Sequence, residues 1–92
     1  MLLSMEQSKS LFPNRLHEHR RIFGYKKKQV AFLIGIRNPA DITKWERGTS
    51  LPSTATLLKL SIVYRTFPNA LYQQYMHDLK EIILNREEQL KH

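Results

Sequence analysis

The apolar residues of this chain fall in short runs at helical spacing, and most runs are closed by a glycine or a proline. Residues 1–12 show no sustained periodicity and read as a flexible N-terminal arm, with Leu11 and Phe12 reaching the core. Pro13 opens a helix from Asn14 to Phe23 in which Leu16, His19, Arg20 and Phe23 share a face. Arg20 is thereby set among apolar neighbours and requires a partner. Gly24 ends that helix, and a second one begins near Lys27. Val30, Leu33 and Ile34 are expected to face inward there, Ala31 is small enough to admit another helix, and Gly35 stops the run.

The stretch Gly35 to Gly48 predicts a short third helix over 39–47. Asn38 is a good N-cap, Pro39 fits the first helical position because its missing N–H is an orphan there, and Asp41 suits the positive helix start. Ile42, Trp45 and Glu46 fall on one side, whereas Ala40, Thr43, Lys44 and Arg47 fall on the other. One face anchors, and the opposite face is short, polar and basic. Ser53 then caps a fourth helix running to about Arg65, with Leu57, Leu60, Ser61 and Tyr64 inward.

Phe67-Pro68 breaks the chain and opens a last helix that runs on to the C-terminus, because no Gly or Pro interrupts residues 69–92. It is too long for the core. Ala70, Leu71 and Tyr75 pack on the domain, and Tyr72, Met76, Leu79, Ile83, Arg86 and Leu90 recur at alternating spacings of four and three. That pattern suits a dimer seam, with Arg86 inside it, or an ordinary amphipathic helix lying on its own domain. Residues 73–92 are therefore a candidate dimerisation or partner-binding element.

Ninety-two residues make one domain. The net charge of +7 changes the picture through its placement: residues 1–48 carry ten Lys/Arg against four Asp/Glu, residues 49–92 five against four. Such asymmetry points to a polyanionic partner. Lys26, Lys27 and Lys28 crowd a helix start, where the macrodipole disfavours cations, so fold stability does not account for them; a docked phosphate reverses the conflict. No helix pairs a basic face with a strongly apolar one, the first residues lack a signal-peptide pattern, and the apolar run Val30 to Ile36 is too short to span a bilayer. A soluble, cytoplasmic protein without a membrane partner is expected.

The absence of cysteine removes disulfides, Cys zinc sites and thiol catalysis. His17 and His19 diverge on a helix, and His77 and His92 have no ligand-spaced companions, so no metal is expected. Without a Gly-rich phosphate loop, a nucleophile elbow or paired carboxylates in an apolar setting, neither a cofactor nor an enzyme is expected.

Val30-Ala31 in the second helix, Ile42-Thr43-Lys44-Trp45-Glu46-Arg47-Gly48 in the third, then Pro52 and Leu57-Leu58-Lys59-Leu60, resemble the lambda-repressor-like helix-turn-helix family of phage repressors and Cro proteins, over about residues 14–72. The resemblance implies an all-α, compact five-helix domain over 13–72 with an extended C-terminal helix. It implies double-stranded DNA as partner, with the third helix in the major groove and the start of the second on the backbone. It also implies that Arg20 pairs with Glu46. Base contacts are then assigned to Pro39, Ala40, Thr43, Lys44 and Arg47, and phosphate contacts to Lys26, Lys27, Lys28, Arg37 and Asn38. Lys26 and Lys27 stand where the family has Ser/Thr then Gln, so the phosphate grip is ionic. The turn after Gly35 is one residue longer, which leaves the register of Pro39 and Ala40 open by one position. The function expected is a bacterial or phage transcription regulator, a repressor-like homodimer on a two-fold site. Two alternatives stand beside it: an antitoxin-like or accessory regulator holding a protein partner through the C-terminal helix, and the same fold used only for protein interaction.

Overall fold

The computed structural model describes residues 10–91; residues 1–9 of the expected arm lie outside the described residues. Six helices and no strand are present among them: α1 (Leu16–Phe23), α2 (Lys27–Ile34), α3 (Ala40–Arg47), α4 (Thr54–Val63), α5 (Pro68–Leu71) and α6 (Gln73–Leu90). The architecture is all-α, as expected, with one helix more than the five anticipated. No helix among the described residues is long and apolar enough to cross a membrane.

The core forms where one stripe of each of the first five helices converges. Leu16, Val30, Ala31, Ile34, Ile42, Trp45, Leu60, Tyr64, Leu71 and Tyr72 are buried together. Phe12, Phe23, Tyr25 and Ile36 close the edges. Two local caps and one tertiary contact set helix ends. Asn14 Oδ1 accepts the Leu16 N–H at 3.0 Å, so α1 starts at Leu16 rather than Asn14. Ser53 Oγ accepts the Thr56 N–H and caps α4. Lys59 Nζ donates to the Ile34 carbonyl at 3.2 Å, placing a cation where the α2 dipole is negative.

Five expectations are corrected. Leu33 is 49 % exposed rather than inward, because Ala31 is buried beside Val30 and Ile34 and turns the inward arc of α2 away from position 33. Leu11 is exposed; only Phe12 of that pair packs on the core. Both backbone N–H groups nonetheless donate to the Gly48 carbonyl, at 3.1 and 3.0 Å, so residues 11 and 12 are tied down rather than loose. The helix expected to run unbroken from residue 69 is interrupted at Tyr72, whose φ of −121° and ψ of 42° are not helical. The cause is tertiary: the Leu71 carbonyl accepts the Arg15 N–H at 2.8 Å, an orphan donor ahead of α1. Tyr72 itself is 5 % exposed and sits in the core, so it is no part of a dimer seam.

The Tyr72 hydroxyl is buried without a hydrogen-bonding partner among the described residues, and burial pushes its pKa from the ordinary 10 to about 12. A raised pKa means that the neutral form is favoured on folding, so this contribution to stability is complete below pH 10 and is lost as pH rises toward 12. Tyr72→Phe should remove that alkaline loss and leave neutral-pH stability unchanged or raised by about 1 kcal/mol, since an unsatisfied buried hydroxyl is removed. Thermal unfolding of both proteins at pH 7 and pH 11 checks this; a clear loss at pH 7 would show that the hydroxyl is satisfied.

Candidate nucleic-acid interface

α3 is divided by its periodicity into two faces with different work. Ile42 and Trp45 are buried and the Glu46 side chain is 6 % exposed, while Ala40, Lys44 and Arg47 on the opposite side are exposed and Thr43 is half-buried. The start of α3 is held by Asn38, whose Oδ1 accepts the Ala40 N–H at 2.9 Å. Pro39 has helical dihedrals, φ −61° and ψ −16°, so it belongs geometrically to the first turn. The end is held by Gly48 at φ 76°, a left-handed conformation that spares only glycine. A Cβ at Gly48 would also collide with the Ser10 side chain and come within 2.8 Å of the Phe12 carbonyl.

The inward face of α3 is locked to α1 by an ion pair. Arg20 Nε donates to Glu46 Oε2 at 2.6 Å and Nη2 to Oε1 at 3.1 Å, a two-pronged contact between side chains 13 % and 6 % exposed. Nη1 of the same guanidinium donates to the Tyr25 carbonyl at 3.1 Å, so the α1–α2 turn is held by the same group. The hydrogen bond to Glu46 raises the Arg20 pKa above its ordinary value. Tyr64 nearby is raised too, by burial first and by the Glu46 charge second. His17 Nδ1 lies 3.3 Å from Glu46 Oε1 and 3.2 Å from Arg20 Nη2: bare, it accepts from Arg20; protonated, it donates to Glu46.

A second lock was not legible from residue spacing. Asn14 Nδ2 donates to the Trp45 carbonyl at 2.8 Å and to the Phe12 carbonyl at 2.9 Å, while its Oδ1 caps α1. One amide thus joins the start of α1, the end of α3 and the segment before α1. An Asn directly after a helix-opening proline was the only signal, and it points to a local cap rather than to a contact 31 residues away.

Around this rigid element the structure gathers basic and polar groups. Lys26 and Lys28 are exposed and Lys27 is half-buried at the start of α2. The Lys26 N–H donates to Gln29 Oε1 at 2.7 Å, a half capping box, since a lysine side chain accepts nothing in return. Arg37 and Asn38 are exposed in the turn between α2 and α3, although the Asn38 oxygen is engaged in its cap and only its amide N–H group remains free to donate. Among the described residues Lys26, Lys28, Arg37, Lys44 and Arg47 form no ion pair, so five cations stand in solvent on or beside α2 and α3. Such an array neutralises and orients along a polyanion.

Because the Arg20–Glu46 pair is mostly buried, Glu46→Gln leaves an uncompensated guanidinium and should cost about 3 kcal/mol or more. Denaturant midpoints at constant slope read this directly. An unchanged midpoint would mean the pair behaves as an exposed one, for which about 0–1 kcal/mol is usual.

Comparison with known proteins finds one family model, described as helix-turn-helix, that matches residues 16–66, more than half of the chain. Nothing matches among the curated proteins or among the solved structures compared.

Proposed function

The chain belongs to the helix-turn-helix family of lambda-repressor and Cro type, a family of DNA-binding transcription regulators, and from that premise we propose that it binds duplex DNA sequence-specifically with α3 in the major groove. The observation that carries this reading is the division of α3: one face fixed by Trp45 and the Arg20–Glu46 pair, the other presenting Ala40, Thr43, Lys44 and Arg47 with no structural side-chain hydrogen bond among the described residues. Pro39 completes the set turned to the bases. Lys26, Lys27, Lys28, Arg37 and Asn38 hold the phosphates on either side, with the free N–H groups at the start of α2 adding to the lysines.

The regulator acts in the bacterial cytoplasm, or that of a phage-infected cell, as a homodimer on a two-fold site. The dimer reading is supported by α6, on which no residue is buried and Met76, Leu79, Ile83 and Leu90 are exposed. Selection of bound fragments from random duplex DNA tests the whole proposal: an enriched site with two-fold symmetry is the expected result, and unselective or absent binding overturns it.

Within that proposal the lysines divide by task, because phosphate contacts carry affinity without sequence information. Alanine at Lys26, Lys27 or Lys28 should weaken all duplexes alike and lower the salt slope by about one for each lost contact. Lys44 can reach guanine O6 and N7 while Ala40 and the Thr43 methyl touch a thymine methyl. Lys44→Ala should therefore cost roughly 1–3 kcal/mol against the preferred base at one position and little at the others. Titrations of each variant against the selected site and its single-base variants decide it; a uniform drop for Lys44→Ala makes it a backbone contact.

A further inference from the structure

α6 is 18 residues long with none buried, and its aromatic contact to the segment before α1, Tyr75 edge-on to Phe12 at 5.2 Å, lies in its first turn. Beyond that turn Met76, Leu79, Ile82, Ile83 and Leu90 leave an apolar band in solvent, Leu90 being 86 % exposed. An apolar groove adjoins the start of the band, lined by Leu51, Leu57, Tyr75, Met76 and Leu79. With Tyr72 in the core, the seam that remains runs 76, 79, 83, 86, 90, still alternating three and four.

We propose that a second copy of this chain covers both surfaces, its α6 running antiparallel so that its Leu90 enters the groove at Leu79. The proposal rests on the homodimer reading above and specifies how that dimer is built. Charge sets the direction. In a parallel, in-register pair Arg86 meets Arg86 at a seam position, whereas an antiparallel pair sets Arg86 across from Ile83. Charge also sets the register. With Leu79 across from Leu90, the flanking Lys80 and Glu87 face each other, and the two-fold axis makes two such opposite pairs along one edge. Along the other edge Ile82 approaches Gln89 of the second copy, so neither edge brings like charges together.

At ~1.5 Å per residue the two α6 starts stand roughly 35 Å apart along the shared axis. Each domain thus sits at one end of the pair, and each groove receives the other copy's C-terminal leucine.

The chain has no cysteine, so single introduced thiols report unambiguously. Lys80→Cys and Glu87→Cys proteins, mixed and treated with a short bismaleimide, should give linked dimers well above either protein alone, and Leu90→Cys alone should give few. Lys80→Glu should weaken the dimer roughly tenfold in sedimentation equilibrium, with Glu87→Lys in the same chain restoring it. Efficient linking of Leu90→Cys alone shows a parallel pair and overturns the proposal. A full chain that stays monomeric, or that pairs through α6 only with a different protein, overturns it too. Duplex retention measured on the same samples separates the two readings. Monomers that bind the selected site leave DNA binding standing and remove the pairing, and linked dimers without duplex affinity support the pairing and remove DNA binding.

Discussion

The orientation of α3 depends on one buried ion pair. Two charges withdrawn from water lose several kcal/mol of hydration each, and a two-pronged contact with further hydrogen bonds is what compensates them. Arg20 meets that requirement with three donors in use, two on Glu46 and one on the Tyr25 carbonyl, so a single guanidinium ties α1, the α1–α2 turn and α3. A hydrophobic pair of similar volume could match its contribution to stability, but not its geometry: the planar fork admits one rotation of α3 about its axis. That rotation decides which four side chains point away from the core.

Asn14 performs the complementary task at the end of α3. Its bond to the Trp45 carbonyl occupies one of the last-turn acceptors, and Gly48 receives the Leu11 and Phe12 N–H groups on its own carbonyl. The segment before α1 is thereby built into the support of α3. At the other side of the domain the Arg15 N–H takes the Leu71 carbonyl, which a continuous helix would have offered to residue 75. The chain bends there, Tyr72 turns into the core, and α6 leaves the domain with its apolar band uncovered.

What was legible in the sequence was whatever has a local cause. Gly24, Gly35 and Gly48 marked three helix ends and Ser53 a helix start, because caps act within one turn. The lone charge on each of two apolar stripes marked Arg20 and Glu46 as a pair once the resemblance to the family was drawn. Features with a distant cause did not show. Tyr72 carries no punctuation, since its break comes from a hydrogen bond to residue 15. The exposure of Leu33 followed from the share of α2 taken by Ala31, and Lys59 looked like any surface lysine until the end of α2 was placed beside it. For the proposed base-contact residues Pro39, Ala40, Thr43, Lys44 and Arg47, periodicity supplied the face, while any bases they would meet depend on a partner no intrachain rule describes.

The two-sidedness of α3 has an evolutionary consequence. Ala40, Lys44 and Arg47 are exposed, and among the described residues neither their own side chains nor that of Thr43 enter a hydrogen bond; Ala40 and Lys44 are engaged only through their backbone, on Asn38 and Thr49. Substitutions at such positions usually shift stability by no more than about 0.5 kcal/mol. Trp45, Glu46 and Gly48, interleaved with them or next in line, carry the packing and cannot drift. On the proposed reading, descendants of this chain can therefore change the site they recognise almost without changing how well they fold, so that regulators diverging from it would keep Arg20, Trp45, Glu46 and Gly48 while the residues between them scatter.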